Sequence, residues 1–225
     1  MIKHFHVNRN ECNDLACQIF MQTSGIDREG RKFERMKKDA FRMRKLIEDR
    51  VRIRVAYAWY DKVELSGREA VIGGERFYCS AFEQVDPNAV KGSHVYALSV
   101  GDFGLPEEPI MDQLYADIWG SAFTDAARFL LKHELEKKAK LSDSFGPGFY
   151  GMDVSQMQQL ASLLSFDDLD MELRNSQILV PLKSCAGLYF SVTDEYKKLN
   201  RDCENCRGTH TSCKLCQIHG GIANV

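Results

Sequence analysis

Apolar side chains recur every three or four residues between positions 27 and 54, which is the spacing of one helix face. Most of the other positions here are charged, with twelve Lys/Arg against six Asp/Glu. We therefore expect an amphipathic helix over about 27–50 with a basic outer face. The apolar positions of this predicted helix are Phe33, Met36, Ala40, Met43, Ile47 and Val51.

Residues 52–103 follow a different pattern. The stretches RIRVAYAWY, EAVIGGERFYCSAF and SHVYALSV are rich in β-branched and aromatic residues, and Gly and Pro separate them. Such stretches predict strands joined by turns. The Gly- and Pro-rich sequence GDFGLPEEP at 101–109 ends this part of the chain.

A second helical pattern covers residues 110–140. The predicted buried face consists of Ile110, Leu114, Ile118, Ala122, Ala126, Phe129 and His133. Small residues occupy 120–122 in the middle of this helix, although a glycine there costs roughly 1 kcal/mol of helix propensity. Small residues at one level of a helix indicate close approach by another element or by a ligand.

Shorter elements follow. A Ser/Asp/Gly-rich loop precedes a predicted helix at about 153–165, which Asp153 or Ser155 would start. The stretches QILVPLK (177–183) and AGLYFSV (186–192) predict strands. Because helices and strands do not alternate strictly, the pattern favours an α+β fold over a doubly wound sheet.

Composition places the chain among globular proteins. Its 225 residues are 44% hydrophobic and 28% charged, which is ordinary usage. No run reaches the roughly 18 apolar residues of a membrane span, and MIKHFHVNRNE lacks the apolar core of a signal peptide. Eight cysteines without such a signal favour a reducing compartment. We expect a cytoplasmic protein that does not bind a membrane.

The charge is unevenly distributed. Residues 27–54 carry +6, so the rest of the chain carries −8 of the total of −2. The basic segment is either a solvated helix face over a buried stripe or a docking surface for an acidic partner. The acidity of the remainder argues against nucleic acid as a partner, because nucleic-acid-binding proteins usually present a basic face.

The stretch Ser144–Gly151 reads SFGPGFYG. Its glycines allow backbone conformations closed to other residues and let a ligand approach the main chain, while Pro147 fixes one dihedral angle. Phe149 and Tyr150 place aromatic rings beside these peptide groups, which suits a planar or cationic ligand. Taken alone, however, such a turn is more often a plain connection.

Two further stretches make this loop more specific. Pro181–Phe190 (PLKSCAGLYF) puts small residues before a Gly-x-Tyr-Phe strand, and Gly120–Asp125 (GSAFTD) precedes the loop on a helix. Together they resemble the activation domain of cobalamin-dependent methionine synthase, particularly its shorter free-standing relatives. Recognisable motifs span about 95–195, whereas 1–94 match only in general character. The resemblance implies one domain over 1–200, with a twisted antiparallel sheet flanked by helices.

The resemblance also implies a function. In that family the domain binds S-adenosylmethionine and presents it to a cobalamin held by another domain or protein. When the working Co(I) is oxidised to Co(II), an electron and the methyl group of S-adenosylmethionine restore methyl-Co(III). The expected partners are a corrinoid (cobalamin-binding) protein and an electron donor such as flavodoxin or ferredoxin.

Family roles transfer to individual positions. The expected S-adenosylmethionine-binding residues are Asp125, Ser144, Gly146, Gly148, Phe149, Tyr150, Ser184, Ala186, Gly187 and Tyr189. Two of them depart from the family pattern. Ser144 replaces an arginine that pairs with the ligand carboxylate, a contact that a hydroxyl cannot reproduce, and Phe149 replaces a tyrosine. Lys183 or Arg174 are candidate substitutes for the arginine, and Tyr150 for the hydroxyl.

The C-terminal part, 201–225, contains four closely spaced cysteines: Cys203, Cys206, Cys213 and Cys216. Each C-x2-C pair can bring two thiolates to one metal ion, and the short spacer brings the pairs together. The spacing predicts a metal-binding tail that holds either zinc or a [4Fe–4S] cluster, since both take four thiolates. A cluster would suit chemistry that needs one electron.

Three functional hypotheses remain. The first is a reactivation partner of a cobalamin methyltransferase, which would share catalysis with that partner, since the chain is too short to hold the other modules. The second is a non-catalytic docking module for a corrinoid protein, without S-adenosylmethionine binding. The third, a nucleic-acid-binding protein with a zinc tail, is disfavoured by charge. No nucleophile–base pairing or phosphate-binding GxxxxGK[ST] motif indicates an independent enzyme.

Overall fold

The computed structural model describes residues 1–105, 107–175, 177–197 and 199. The helices in this part of the chain are α1 (Arg9–Thr23), α2 (Phe33–Leu46), α3 (Ile110–Glu136) and α4 (Met157–Leu163). The strands are β1 (Ile2–His4), β2 (Arg54–Tyr60), β3 (Val63–Ser66), β4 (Glu69–Ile72), β5 (Glu75–Tyr78), β6 (Val90–Ser99), β7 (Leu141–Phe145), β8 (Glu172–Leu173), β9 (Leu179–Val180) and β10 (Ser184–Val192). None of the described helices is both long enough and apolar enough to span a membrane.

A five-stranded antiparallel sheet organises the fold. Its strand order is β1-β2-β6-β10-β7. Strands from both halves of the sequence therefore meet in one sheet, with the long strands β6 and β10 at its centre. Strands β3, β4 and β5 form a separate meander, and β8 and β9 form a short ribbon. The predicted α+β fold, an antiparallel sheet flanked by helices, is confirmed.

Helices α1, α2 and α3 cover one face of the sheet, and Trp119 of α3 joins all three. The Trp119 side chain is fully buried and stacks on Phe20 of α1 with ring centroids 3.9 Å apart. Its indole nitrogen donates to the Ala40 carbonyl of α2 at 2.9 Å. The edge of the Phe41 ring contacts the indole from the side. One residue therefore holds the three helices in register.

The opposite face of the sheet packs against α4, the β3–β5 meander and the segments around them. Phe82, Phe145 and Phe190 form an aromatic group at the centre of this second core, with centroid separations between 5.1 and 5.4 Å. Because side chains alternate along a strand, β10 contributes Leu188 and Phe190 to this core. It contributes Tyr189 to the helix-side core.

The prediction of which side of α3 is buried was partly wrong. Ala122 and Ala126 are buried as expected, but Ile110, Leu114 and His133 are exposed. The buried positions instead include Tyr115, Ala116, Trp119, Phe123, Ala127, Leu131 and Leu135. A helix packed against both a sheet and other helices buries a wide face, so a single narrow stripe does not describe it.

The basic helix is shorter than predicted. Helix α2 begins at Phe33 instead of near residue 27 and ends at Leu46, and a single 3-10 turn, Glu48–Arg50, follows it. Its predicted apolar stripe is confirmed, with Ala40, Met43 and Ile47 fully buried. The lysines and arginines between these positions form its outer face.

Two elements near the N-terminus were not predicted. Strand β1 pairs with β2 at the sheet edge, and α1 packs against α3. The side chain of Asn8 caps α1 by accepting from the backbone nitrogens of Asn10 and Glu11. Further along the chain, Asp153 caps the turn that leads into α4 by accepting from the Ser155 nitrogen at 2.8 Å. Of the two residues predicted to start this helix, Asp153 and Ser155, Asp153 therefore provides the cap.

Candidate functional site

The glycine loop begins two residues later than predicted. Ser144 lies on β7, where it pairs with Tyr189 of β10, so it is a strand residue and not part of the loop. The turn starts at Gly146, whose carbonyl accepts from the Phe149 nitrogen at 3.0 Å. Gly148, at φ +90°, occupies a backbone conformation that residues with side chains rarely adopt.

Residues outside the loop hold its C-terminal end. The Tyr150 carbonyl accepts hydrogen bonds from the Ser80 nitrogen at 3.1 Å, the Ser80 hydroxyl at 2.6 Å and the Cys79 thiol at 3.2 Å. Tyr150 itself has a left-handed backbone, at φ +53°, which is unfavourable for a residue with a side chain. These contacts offset that cost and fix the loop against the connection after β5.

A group of polar side chains lies under α3 on the helix side of the sheet. The Tyr96 hydroxyl of β6 and the Ser144 hydroxyl are 2.9 Å apart. The rings of Tyr96 and Tyr189 stack with centroids 5.0 Å apart, and both side chains are buried. In the described part of the chain, the Tyr189 hydroxyl has no hydrogen-bond partner of ordinary geometry, although Ser144 and Arg128 lie close enough to act on its pKa.

At two glycines in this region the neighbouring strands approach too closely for a side chain. A Cβ at Gly187 would lie 2.5 Å from the Phe145 carbonyl oxygen and 3.0 Å from the Tyr96 hydroxyl. A Cβ at Gly146 would lie 3.0 Å from the Ala186 carbonyl oxygen. Both positions therefore require glycine for close packing of β7 against β10, which is also a sufficient structural reason for the motif.

Asp125 and Arg128 bring charge to the same region from α3. Nη2 of Arg128 donates to Oδ1 of Asp125 at 3.2 Å, with side chains 27% and 46% exposed, respectively. Tyr96, Tyr189 and Cys185 lie close enough to Arg128 to interact with it electrostatically. Burial raises the pKa of the Cys185 thiol to about 12, so this cysteine stays uncharged. Sequence reasoning included Asp125 and missed Arg128, one helical turn away.

The remaining predicted residues do not join this group. Ser184 and Ala186 alternate with Cys185 and Gly187, so their side chains lie on the opposite face of β10. The Tyr150 ring packs against Phe145, 5.7 Å between centroids, in the second core, whereas Phe149 is 69% exposed. Tyr150 therefore does not place its ring beside Tyr189.

The fold of this chain is shared with a solved structure over most of its length. It is the crystal structure of the MetH reactivation domain bound to AdoHcy (S-adenosylhomocysteine), with a TM-score of 0.62, 15% sequence identity, and coverage of 88% of this chain and 80% of that one. The chain has the fold of the MetH reactivation domain. No protein-family model and no curated protein matches the sequence.

The similarity to the MetH reactivation domain extends beyond the motifs. These span about 95–195, less than half of the chain, whereas the structural match covers 88% of it. The first 94 residues, whose sequence matched only in general character, supply β1 and β2 of the common sheet and two of the helices on it.

The small residues in α3 accommodate Lys183. A Cβ at Gly120 would lie 2.8 Å from Cγ of Lys183, so the predicted close approach by another element is confirmed. Nζ of Lys183 lies 2.7 Å from Oδ1 of Asp117 and 3.0 Å from the Ser121 hydroxyl. These two contacts hold the Lys183 ammonium group against α3. Arg174, the other candidate substitute for the family arginine, lies 4.0 Å from Glu172.

A cleft is lined by Lys183, the candidate substitute for the family arginine, but by none of the other residues expected to bind S-adenosylmethionine. It has a volume of about 390 Å³. Residues 101–105, the first two turns of α3 and the turn before β10 line it. Asp117, at its edge, and Asp125 are eight residues apart on α3, which is about 12 Å along the helix axis. The cleft and the Tyr189 group are therefore separate places.

The predicted metal ligands, Cys203, Cys206, Cys213 and Cys216, lie outside the described residues, so the metal-binding tail stays a prediction. Within the described ranges, no group of three or more His, Cys, Asp or Glu side chains could hold a metal ion. Cys12, Cys17, Cys79 and Cys185, the cysteines of these ranges, form no disulfide with one another.

His94 should make stability depend on pH. It lies between Trp59 and Tyr189 in the sheet, its ring 4.6 Å from that of Trp59. Burial, with smaller effects from Lys138 and Lys3, lowers the pKa of His94 from 6.5 to about 4. The unfolded chain therefore binds this proton at a higher pH than the folded chain. The contribution of His94 to stability is therefore fully present above pH 6.5. The free energy of unfolding decreases by about 2–3 kcal/mol as the pH drops towards 4.

Urea titrations between pH 4 and 8 would measure this dependence. In His94→Gln the slope between pH 4 and 6.5 should decrease, whereas His133→Gln, at an exposed position, should retain it. An unchanged slope in His94→Gln would assign the dependence to other groups.

Proposed function

We propose that the chain binds S-adenosylmethionine and supports the reductive remethylation of cobalamin in a partner corrinoid methyltransferase, as a methionine synthase-like component. The shared fold with a domain whose crystal structure contains AdoHcy supports this proposal most directly. The partner protein would hold the cobalamin, and a flavodoxin or ferredoxin would supply the electron. The chain would share catalysis with the corrinoid protein.

The Tyr189 group has features that fit such a ligand. The main chain at Gly148 is open to a ligand, because a Cβ there would have no neighbour nearer than 3.9 Å. The buried Tyr189 hydroxyl is available for a hydrogen bond. Asp125 places a partly exposed carboxylate beside it, and a carboxylate attracts a sulfonium or ammonium most strongly where water is excluded. Gly148 and Phe149 form the adjacent edge, which is open to solvent.

The chemistry divides between ligand and protein. S-adenosylmethionine supplies a methyl group bonded to a positively charged sulfur, which makes the group transferable to a reduced acceptor. The residues of this chain would bind and orient the donor: Asp125 would balance its positive charge, and Gly146, Gly148 and Gly187 would offer it backbone contacts. Phe149 would shield it from water on the exposed side.

Three observations favour a second candidate function, a docking module for a corrinoid protein without ligand binding. Ser144 replaces the arginine expected from the resemblance, Tyr150 packs into the second core, and the glycines are needed for strand packing in any case. This candidate predicts complex formation with a corrinoid protein whether or not S-adenosylmethionine is present.

Isothermal titration calorimetry with S-adenosylmethionine separates the two candidates. We expect micromolar binding that weakens more than about tenfold in Asp125→Ala and in Tyr189→Phe, because each variant removes a charge-assisted or buried polar contact. The matched controls Asp168→Ala and Tyr78→Phe, at exposed positions, should bind normally. No heat of binding by a folded wild-type protein would favour the docking module.

The tail is proposed to hold zinc or a [4Fe–4S] cluster through Cys203, Cys206, Cys213 and Cys216. Metal analysis and a visible spectrum on protein purified without oxygen would distinguish the two, since only the cluster absorbs in the visible range. Replacing Cys203 and Cys206 with serine should remove the metal, while Cys12→Ser should not. A brown protein would add electron delivery to the proposed role.

A further inference from the structure

The Arg128 guanidinium and the side chains around it offer more hydrogen-bond donors than acceptors. The guanidinium has several N–H donors and no acceptor of its own. In the described ranges it donates to Asp125 at 3.2 Å, lies near the Tyr189 hydroxyl and packs 5.1 Å from the centre of the Phe129 ring. Its side chain is only 27% exposed. A guanidinium that is mostly withdrawn from water and has donors to spare favours an additional anionic acceptor.

The hydroxyls around Arg128 also favour an anion. The Tyr189 hydroxyl is buried and lacks an ordinary partner among the described residues, and Tyr96 and Ser144 share a single hydrogen bond, which leaves one hydroxyl proton for another acceptor. Burial raises the pKa of both Tyr96 and Tyr189. They are therefore uncharged donors at neutral pH and do not neutralise the guanidinium themselves.

Asp125 completes the pattern with a charge of the opposite sign. It lies one turn before Arg128 on α3 and is the more exposed of the two. A positive and a negative group about one helical turn apart match the carboxylate and ammonium of an α-amino acid. The 3.2 Å contact between them is long for a charge-assisted pair, and in a partly exposed pair it is worth little, so a ligand can replace it at small cost.

We propose that Arg128 binds the α-carboxylate, and Asp125 the α-ammonium, of the amino-acid end of the ligand, with Tyr189 as a further donor to the carboxylate. The nucleoside part of this ligand is taken from the proposed function. The amino-acid site does not depend on that function. A guanidinium supplies the two parallel hydrogen bonds that a carboxylate prefers, which a serine at position 144 cannot.

Three nucleoside probes test the assignment on the full chain: S-adenosylhomocysteine, its decarboxylated analogue, and 5′-methylthioadenosine, which lacks the amino-acid end. We expect Arg128→Gln to weaken S-adenosylhomocysteine binding about 10- to 100-fold, and Arg128→Lys to weaken it less, because the charge remains while the fork is lost. Binding of the two ligands without a carboxylate should change less than about twofold. Melting curves would check that each variant is folded.

Equal weakening of all three probes would make Arg128 a purely structural residue, and no weakening would also overturn the assignment. If the wild-type protein binds no nucleoside, the proposed function fails, and the amino-acid site is tested separately. Millimolar L-methionine should then shift the NMR signal of the Arg128 Nε–H, while 3-methylthiopropylamine, which lacks the carboxylate, should not. The absence of any shift would overturn the inference.

Discussion

Trp119→Ala should lower the free energy of unfolding by about 4 kcal/mol, the largest loss expected for a single substitution in this chain. The change removes a fully buried indole that stacks on Phe20. It also leaves the Ala40 carbonyl without its hydrogen bond from the indole nitrogen. Both losses fall at the junction of α1, α2 and α3, so these helices should loosen together. Guanidinium titration followed by far-ultraviolet circular dichroism would measure the change.

Two variants define the cause of this loss. Trp119→Phe keeps most of the ring contact but loses the hydrogen bond, so it should cost roughly half as much. Trp59→Ala removes the same side chain from a position that is 40% exposed and should cost less than about 2 kcal/mol. A similar loss for both Trp→Ala variants would contradict the role of Trp119 as the junction of the three helices.

Gly187→Ala should disrupt both the sheet and the candidate site. Alanine normally stabilises a protein relative to glycine by about 0.4–1 kcal/mol where the backbone tolerates it. Here the new Cβ would lie 2.5 Å from the Phe145 carbonyl oxygen, so the backbone of β7 or β10 must move. We expect a net destabilisation of about 2 kcal/mol, comparable with other overpacked cores. S-adenosylmethionine binding should decrease at least tenfold.

Gly104→Ala is the matched control. Gly104 has no left-handed backbone, and its nearest potential contact is an Asp102 side-chain oxygen at 3.3 Å. The control should therefore be neutral in stability and in ligand binding. If Gly187→Ala behaves in the same way, the sheet is less tightly packed at this point than the structure indicates. If it is destabilised but binds the ligand normally, the site does not include Gly187.

Segments whose local pattern and final environment agree were predictable from the sequence. Helix α2 buries a single apolar stripe, so Ala40, Met43 and Ile47 were correctly expected to be buried. Helix α3 is packed on several sides, and its buried face could not be derived from one stripe. Helix α1 was missed although its buried residues Cys12, Ala16, Ile19 and Phe20 repeat at helical spacing, and it packs against α3.

The candidate site was predictable as a set of motifs but not as an arrangement. Its glycines and aromatic residues identified the loop and β10. Alternation along β10 places Tyr189 and Ser184 on opposite faces, but only the register of β10 against β6 and β7 places Tyr189 opposite His94 and Ser144. Arg128 could not be found from its own neighbours in the sequence, because Tyr96 and Tyr189, which give it a role, come from strands about 30 and 60 residues away.

The hydrogen bonds that hold the Tyr150 carbonyl affect the thermodynamics of any ligand that uses the loop. Ser80 and Cys79 hold a residue with an unfavourable backbone conformation in place before a ligand arrives. The conformational entropy of this end of the loop is therefore lost during folding, and binding need not supply it. We expect calorimetry to show no large entropic penalty for ordering the loop on binding. Replacing Ser80 with alanine should introduce such a penalty.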